Sequence, residues 1–123
     1  MSVLITGGSG FLGINLIRYF HGQGVGPLTS LDIAPFDYPA EDQARVETVL
    51  GDIRDQATVD RLVAGKRWVV HCAAALPLCT PEEIHETNAI GTRNLLEAAA
   101  RHGVERFVFI SSTAVYGIPD HHP

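Results

Sequence analysis

Short apolar runs alternate along this chain with stretches whose apolar positions recur at helical spacing. Ser2–Thr6 is the first such run. Glycines follow it, then an amphipathic stretch from about Phe11 to Gln23, which Gly24, Gly26 and Pro27 break. Leu28–Ile33 and Val46–Leu50 predict the second and third strands, and Arg67–His71 and Arg106–Ser111 the fourth and fifth. Asp55 stands where a helix running to about Val63 needs an N-cap. Pro81–Arg101 predicts one long helix, with Pro81 near its first position and Gly103 just past its end. Pro35–Ala44 holds two prolines among acidic and aromatic residues and predicts a loop.

The segments "VLIT", "WVVH" and "FVFI" are apolar on both faces, which suits parallel strands covered by helices on each side. Strand–helix alternation with right-handed crossovers then gives an α/β fold with a doubly wound parallel sheet, ordered 3-2-1-4-5. The helix after the first strand covers one face and Pro81–Arg101 the other. One set of side chains from Trp68, Val70, Phe107 and Phe109, or their alternates, is left facing solvent beside a bare fifth strand. The chain made alone is therefore expected to be marginal, oligomeric or aggregation-prone.

Composition narrows the function classes. The 123 residues are one domain's worth, and 46% hydrophobic with 19% charged is the balance of an ordinary globular core. A net charge of −5, with Lys66 the only lysine, argues against a nucleic-acid partner. No apolar stretch approaches the ~20 residues of a membrane span, and the N-terminus opens directly into a strand without a basic leader. Cys72 and Cys79 are too few for a disulfide framework and read as reduced thiols of a cytoplasmic protein. No metal site is expected.

Candidate chemistry begins at "LITGGSGFLG", which sets Gly7, Gly10 and Gly13 between the first strand and first helix. Gly7 permits the tight exit from the strand, Gly10 lets a diphosphate approach the backbone, and Gly13 lets the helix lie close on the sheet. The helix N-terminus presents free N–H groups to the anion. Asp32, nineteen residues after Gly13, is placed to accept hydrogen bonds from adenosine ribose hydroxyls. Strand, glycines, helix, strand and acid occur in order, so the segment reads as a dinucleotide site. No Arg or Lys lies in the glycine turn or directly after Asp32, so NAD is expected rather than NADP.

Five motifs in register resemble the extended short-chain dehydrogenases/reductases, the NAD-dependent epimerase/dehydratase group that includes UDP-glucose 4-epimerase-like enzymes. They are "TGGSGFLG" (Thr6–Gly13), "GDIRD" (Gly51–Asp55), "VVHCAAA" (Val69–Ala75), "NAIGTRNLLEAA" (Asn88–Ala99) and "ISSTAVYG" (Ile110–Gly117). The resemblance covers essentially the whole chain and implies a Rossmann-type sheet truncated after the fifth strand. It implies that Phe11 and Leu12 lie in the turn over the diphosphate, and that Asp52 and Ile53 flank the adenine. Ala73, Ala74 and Ala75 would line the cofactor cleft, and Asn88 would lie near the nicotinamide side. His71 reads as a satisfied structural histidine and Cys72 as a small buried side chain.

Aligned on "VYG", Ser112 falls at the family's catalytic Ser/Thr, with Ser111 and Thr113 as neighbours that could be confused with it. The family's base is a tyrosine four residues before a lysine, whose cation lowers the phenol pKa. Here Tyr19, Tyr38 and Tyr116 are followed at that spacing by Gln23, Asp42 and Asp120, so the pair is not in this sequence. The resemblance therefore implies that residues 1–123 are the NAD-binding domain of a longer enzyme, without its substrate lobe. The implied activity is hydride exchange between a substrate carbon and nicotinamide, by an epimerase, dehydratase or dehydrogenase. The substrate would be a small molecule such as a nucleotide sugar, and the enzyme a homo-oligomer using the Pro81–Arg101 helix. Leu76-Pro77-Leu78 makes the loop after the fourth strand less polar than in many sugar-nucleotide enzymes, which leaves a sterol-type (3-beta-hydroxysteroid) dehydrogenase as an alternative. A stand-alone NAD-binding module without catalysis is the other.

Overall fold

The computed structural model describes residues 2–73 and 80–110. Five parallel strands form one sheet: β1 (Val3–Thr6), β2 (Leu28–Asp32), β3 (Glu47–Leu50), β4 (Trp68–His71) and β5 (Arg106–Phe109). Their order is β3-β2-β1-β4-β5, as the strand–helix alternation predicts. The order reverses at β1, so the crevice beyond the carboxyl ends of β1 and its neighbours is where an open parallel sheet binds ligands. Register sets Thr6 of β1 beside His71 of β4 and Asp32 of β2 beside Leu50 of β3.

All four residues of β1 are buried because both sheet faces are covered. Val3 and Ile5 point to one face and pack with Ile17 of helix α1 (Phe11–Gly22), Leu28 and Val70. Leu4, Leu31 and Val69 point to the other and pack with Val59, Leu62 and Leu95. Those last three come from α3 (Gln56–Val63) and α5 (Thr92–Arg101). Each fully buried aliphatic side chain contributes about 1.5–3 kcal/mol. Asp55 caps α3 as expected, its carboxylate accepting from the Ala57 and Thr58 amides. At the outer edge, Val108 and Phe109 of β5 are exposed, whereas Val70 is buried.

Two predicted elements differ. Pro35–Ala44 is not wholly a loop: Ala40–Gln43 forms a single helical turn, α2, because Asp42 is drawn inward by two arginines. The long helix over Pro81–Arg101 is not uniform either. It runs as α4 (Pro81–His85), a π-helical turn (Glu86–Gly91) and α5. The wide turn falls just before the contacts that fasten this helix to the sheet. A Cβ on Gly91 would stand 2.5 Å from Ile53 Cδ1, and the adjacent Thr92 bonds His71. Inserted turns of this kind tend to occur beside functional sites.

Candidate functional site

At the carboxyl end of β1 the backbone turns at Gly7 with φ +77, a left-handed conformation that a side chain disfavours. There is also no room for a side chain, since a Cβ would lie 2.8 Å from the Ala73 amide nitrogen. Gly13 meets the turn from the helix side: a Cβ there would collide with the Gly7 carbonyl oxygen and stand 2.6 Å from Gly8 Cα. Thus α1 starts directly against the turn. Its N-cap is Gly10, no side chain caps it, and no acidic residue sits in its first turn. Free N–H groups with a helix dipole behind them suit a phosphate.

Asp32 ends β2 beside this turn. Its Oδ2 accepts the Ser9 amide at 3.0 Å and its Oδ1 the Ala34 amide at 2.9 Å. A carboxylate offers about four acceptor positions, so each oxygen keeps capacity for a diol. The loop after β2 holds Ser9 in turn: Ser9 Oγ donates to the Ala34 carbonyl at 3.1 Å, and Tyr38 Oη donates to the Ser9 carbonyl at 2.7 Å. That loop is pinned to α1 by a forked Arg18–Asp42 pair at 3.0 and 2.8 Å, and Arg45 bonds the same carboxylate at 2.8 Å. Hydrogen bonding from Arg18 comes first in holding the Asp42 carboxyl below the usual carboxylate range.

Next to Asp32 lies the loop after β3, where the Gly51 amide donates to the Asp32 carbonyl at 3.0 Å. Arg54 grips the Asp52 carboxylate through Nε at 2.9 Å, Nη2 at 2.6 Å and its own amide at 2.9 Å. That grip lowers the Asp52 pKa. Arg54 Nη1 then reaches Glu86 Oε2 on the π-helical turn at 3.3 Å. Buried Asn94 of α5 donates from Nδ2 to the Ile53 and Arg54 carbonyls at 3.0 and 3.1 Å, while its Oδ1 accepts from Gln56 Nε2.

From β1 across β4 to Thr92 runs a chain of three polar side chains. Thr6 Oγ1 accepts the Cys72 and Ala73 amides at 3.1 and 3.2 Å, so its one proton goes to His71 Nδ1, 2.6 Å away. His71 therefore carries its proton on Nε2, which donates to Thr92 Oγ1 at 2.8 Å. Burial alone pushes the imidazole down to about 4, so the ring is neutral at physiological pH. It is a satisfied structural histidine, as its place at a strand end predicts. Burial likewise pushes the Cys72 thiol up to about 11, keeping it protonated and unsuited to nucleophilic work.

A cleft of about 550 Å³ opens over these elements. Of the residues singled out in the sequence, Gly7, Gly10, Asp32, Asp52, Ile53 and Ala73 line it together. Phe11, Leu12 and Gly13 form the start of α1 outside that lining, with Phe11 86% exposed. Asn88 is exposed on the π-helical turn, and it too is outside the lining. Ala74, Ala75, Ser112 and the Leu76-Pro77-Leu78 loop lie outside the described residues. The sequence reading missed Tyr38, Asp42, Arg54 and Asn94. Only Asn94 leaves a signal, as an amide among the apolar positions Gly91, Leu95 and Ala98 of its helix.

A doubly wound sheet with a glycine turn, an uncapped helix start and a carboxylate at the next strand tip defines a dinucleotide-binding α/β domain. Residues 3–123 match the NAD dependent epimerase/dehydratase family, and the chain belongs to it. A dTDP-glucose 4,6-dehydratase of Streptomyces niveus is 38% identical over 136 residues, with 98% of this chain and 40% of that protein covered. A 3-beta-hydroxysteroid dehydrogenase of Mycolicibacterium neoaurum is 36% identical, with 92% and 32% covered. Among solved structures, the UDP-glucose 4-epimerase of Thermus thermophilus in complex with NAD superposes with a TM-score of 0.84 at 32% identity, covering 99% of this chain and 42% of that one. The chain thus spans about 40% of the dehydratase's length. Among the described residues no helix is long and apolar enough to cross a membrane.

Proposed function

We propose that this chain binds NAD in the cleft and is the cofactor-binding part of an enzyme that exchanges hydride between a hydroxyl-bearing substrate carbon and nicotinamide. The carrying observation is the meeting of the Gly7–Gly13 turn, which has no room for a Cβ at either end, with the oriented Asp32 carboxylate. Gly7, Gly10 and the first-turn amides of α1 would hold the diphosphate, with Phe11 and Leu12 in the turn above it. Asp32 would take the adenosine ribose, Asp52 and Ile53 would flank the adenine, and Ala73, Ala74 and Ala75 would leave space for the dinucleotide to cross the strand ends. Asn88 would stand toward the nicotinamide side. Bound NAD supplies the hydride acceptor and donor. Ser112 would orient the substrate oxygen by hydrogen bonding, and a tyrosine–lysine pair outside these 123 residues would move the proton.

Arg54 is the only cation among the described lining residues, and Asp52 already engages it. A ribose 2′-phosphate would meet Asp32 without a free cation, which favours NAD over NADP. The matched sugar-nucleotide enzymes support a nucleotide sugar as substrate. The proposed setting is a homo-oligomer in the cytoplasm. The steroid dehydrogenase relative keeps a sterol as the second reading. Calorimetric titration of the chain with NAD and NADP tests the cofactor. NAD should bind about tenfold or more tightly than NADP, and Asp32→Ala should erase the difference. No NAD binding, or equal affinity for both, would overturn this reading.

A further inference from the structure

Arg54 is the residue on this cleft whose bonding is most elaborate for its exposure. Three of its nitrogens hold Asp52, which lines the cleft beside it, and the fourth reaches Glu86 on the π-helical turn, whose neighbours Glu83 and Thr87 also line the cleft. The loop beneath is already fixed from the other side, because buried Asn94 bonds the Ile53 and Arg54 carbonyls. Arg54 is therefore not needed to hold the loop's backbone. What it does hold is the Asp52 carboxylate, in one orientation and with its charge neutralised. Oδ2 accepts two of the three Arg54 bonds and Oδ1 only one, from the amide, so Oδ1 keeps an acceptor position.

We propose that Arg54 is a positioning residue for recognition of the purine base: by forking onto Asp52 it presents a fixed acceptor to a base whose 6-position is a donor, and so selects adenine over hypoxanthine. The inference rests on the proposed NAD site. Adenine carries a 6-amino donor. Hypoxanthine carries a 6-oxo acceptor, which meets a carboxylate oxygen with its lone pairs and no proton between them. A carboxylate fixed by a fork discriminates, whereas a carboxylate free to rotate into solvent does so far less, since water can satisfy it in either complex.

The experiment is calorimetric titration of the chain with NAD and with its hypoxanthine analogue, in the parent and in Arg54→Gln, Arg54→Lys and Glu86→Gln. The parent should favour NAD by about tenfold or more, the worth of one hydrogen bond to a charged group. Arg54→Gln should weaken NAD by about fivefold and bring the ratio of the two affinities below about threefold. Lysine keeps the charge but not the fork, so Arg54→Lys should fall between. Glu86→Gln leaves Asp52 gripped and should weaken NAD by about twofold with the ratio intact.

A merely structural Arg54 would lower both affinities together and leave the ratio at its parent value, and that result overturns the proposal. So does a parent that binds NAD without preferring it to the analogue, or a ratio that survives Arg54→Gln and collapses in Glu86→Gln. Failure of the parent to bind either dinucleotide is a different result. It removes the NAD site itself, and base recognition with it.

Discussion

The two sides of the cleft are built by different means. On the β1–β2 side the glycine turn achieves its shape through what the backbone lacks. Gly7 and Gly13 approach their neighbours so closely that no side chain could be added. In the loop after β3, position is set by what side chains supply: Asn94 bonds the Ile53 and Arg54 carbonyls, and Arg54 grips the Asp52 carboxylate. The first device fails by collision and leaves no way to relax. The second fails by loss of a bond and can relax in part, since water or a rotated side chain can substitute. Damage should therefore be large and abrupt on the first side, and smaller and graded on the second.

The largest effect belongs to Gly13→Ala. The added methyl meets backbone atoms of Gly7 and Gly8 rather than a side chain that could move. Overpacking against backbone that cannot give way should cost about 3 kcal/mol, the upper end of the usual range, a fall in melting temperature of roughly 12 °C by circular dichroism. An unchanged melting temperature would break the comparison at its stronger end.

The neutral His71 predicts a pH dependence of nearly that size. Its folded pKa, about 4, lies below the ordinary value of 6.5. Between those two values the unfolded chain binds the proton and the folded chain does not, so stability falls as pH drops from 6.5 toward 4 and levels off below. The whole window is worth about 3 kcal/mol. The depressed carboxylates, Asp42 and Asp52 among them, start from a usual value of 3.8 and lose their contribution only on the acid side of this range. Urea unfolding midpoints at successive pH values should slope in the parent and slope less in His71→Asn. Equal slopes would show that the ring is not held neutral.

These two cases also separate what was legible in the sequence from what was not. The glycines, Asp32 and the strand order could be read because each leaves a local mark: a missing side chain at a strand end, an acid at the next strand tip, an apolar run of the right length. The His71 tautomer depends on Thr6 and Thr92, residues 65 and 21 positions away, and no local pattern joins them. The π-helical turn was hidden for a related reason. The Pro81–Arg101 sequence favours helix throughout, and the turn widens where the helix meets Ile53 and His71, which only the assembled sheet supplies. Likewise Pro35–Ala44 looked like a loop because Asp42 acquires its helical turn and its burial from Arg18, on a different element.

Asn94→Leu sharpens the comparison from the side-chain end. It keeps the volume and helix preference approximately, but removes the donor to the Ile53 and Arg54 carbonyls in a buried place. Leaving buried carbonyls unpartnered should cost about 2 kcal/mol, read from urea unfolding at pH 7. NAD affinity should fall more than stability alone explains, because the same carbonyls fix the loop under Asp52. A variant as stable as the parent would mean that water replaces the amide without cost.

Tyr38→Phe should give the smallest effect, and it is the most discriminating, because it puts a side-chain device on the glycine side. The hydroxyl donates to the Ser9 carbonyl at 2.7 Å, while the ring also packs against Phe36, with centroids 4.9 Å apart. Phenylalanine keeps the ring and removes the bond, so the loss should be about 1 kcal/mol. The glycines shape the turn without help, so unfolding should remain a single cooperative transition and NAD affinity should drop by no more than about threefold. If Tyr38→Phe instead abolished NAD binding as Gly13→Ala is expected to, the turn would be held by its brace and not by its missing side chains, and the two sides of the cleft would be built alike.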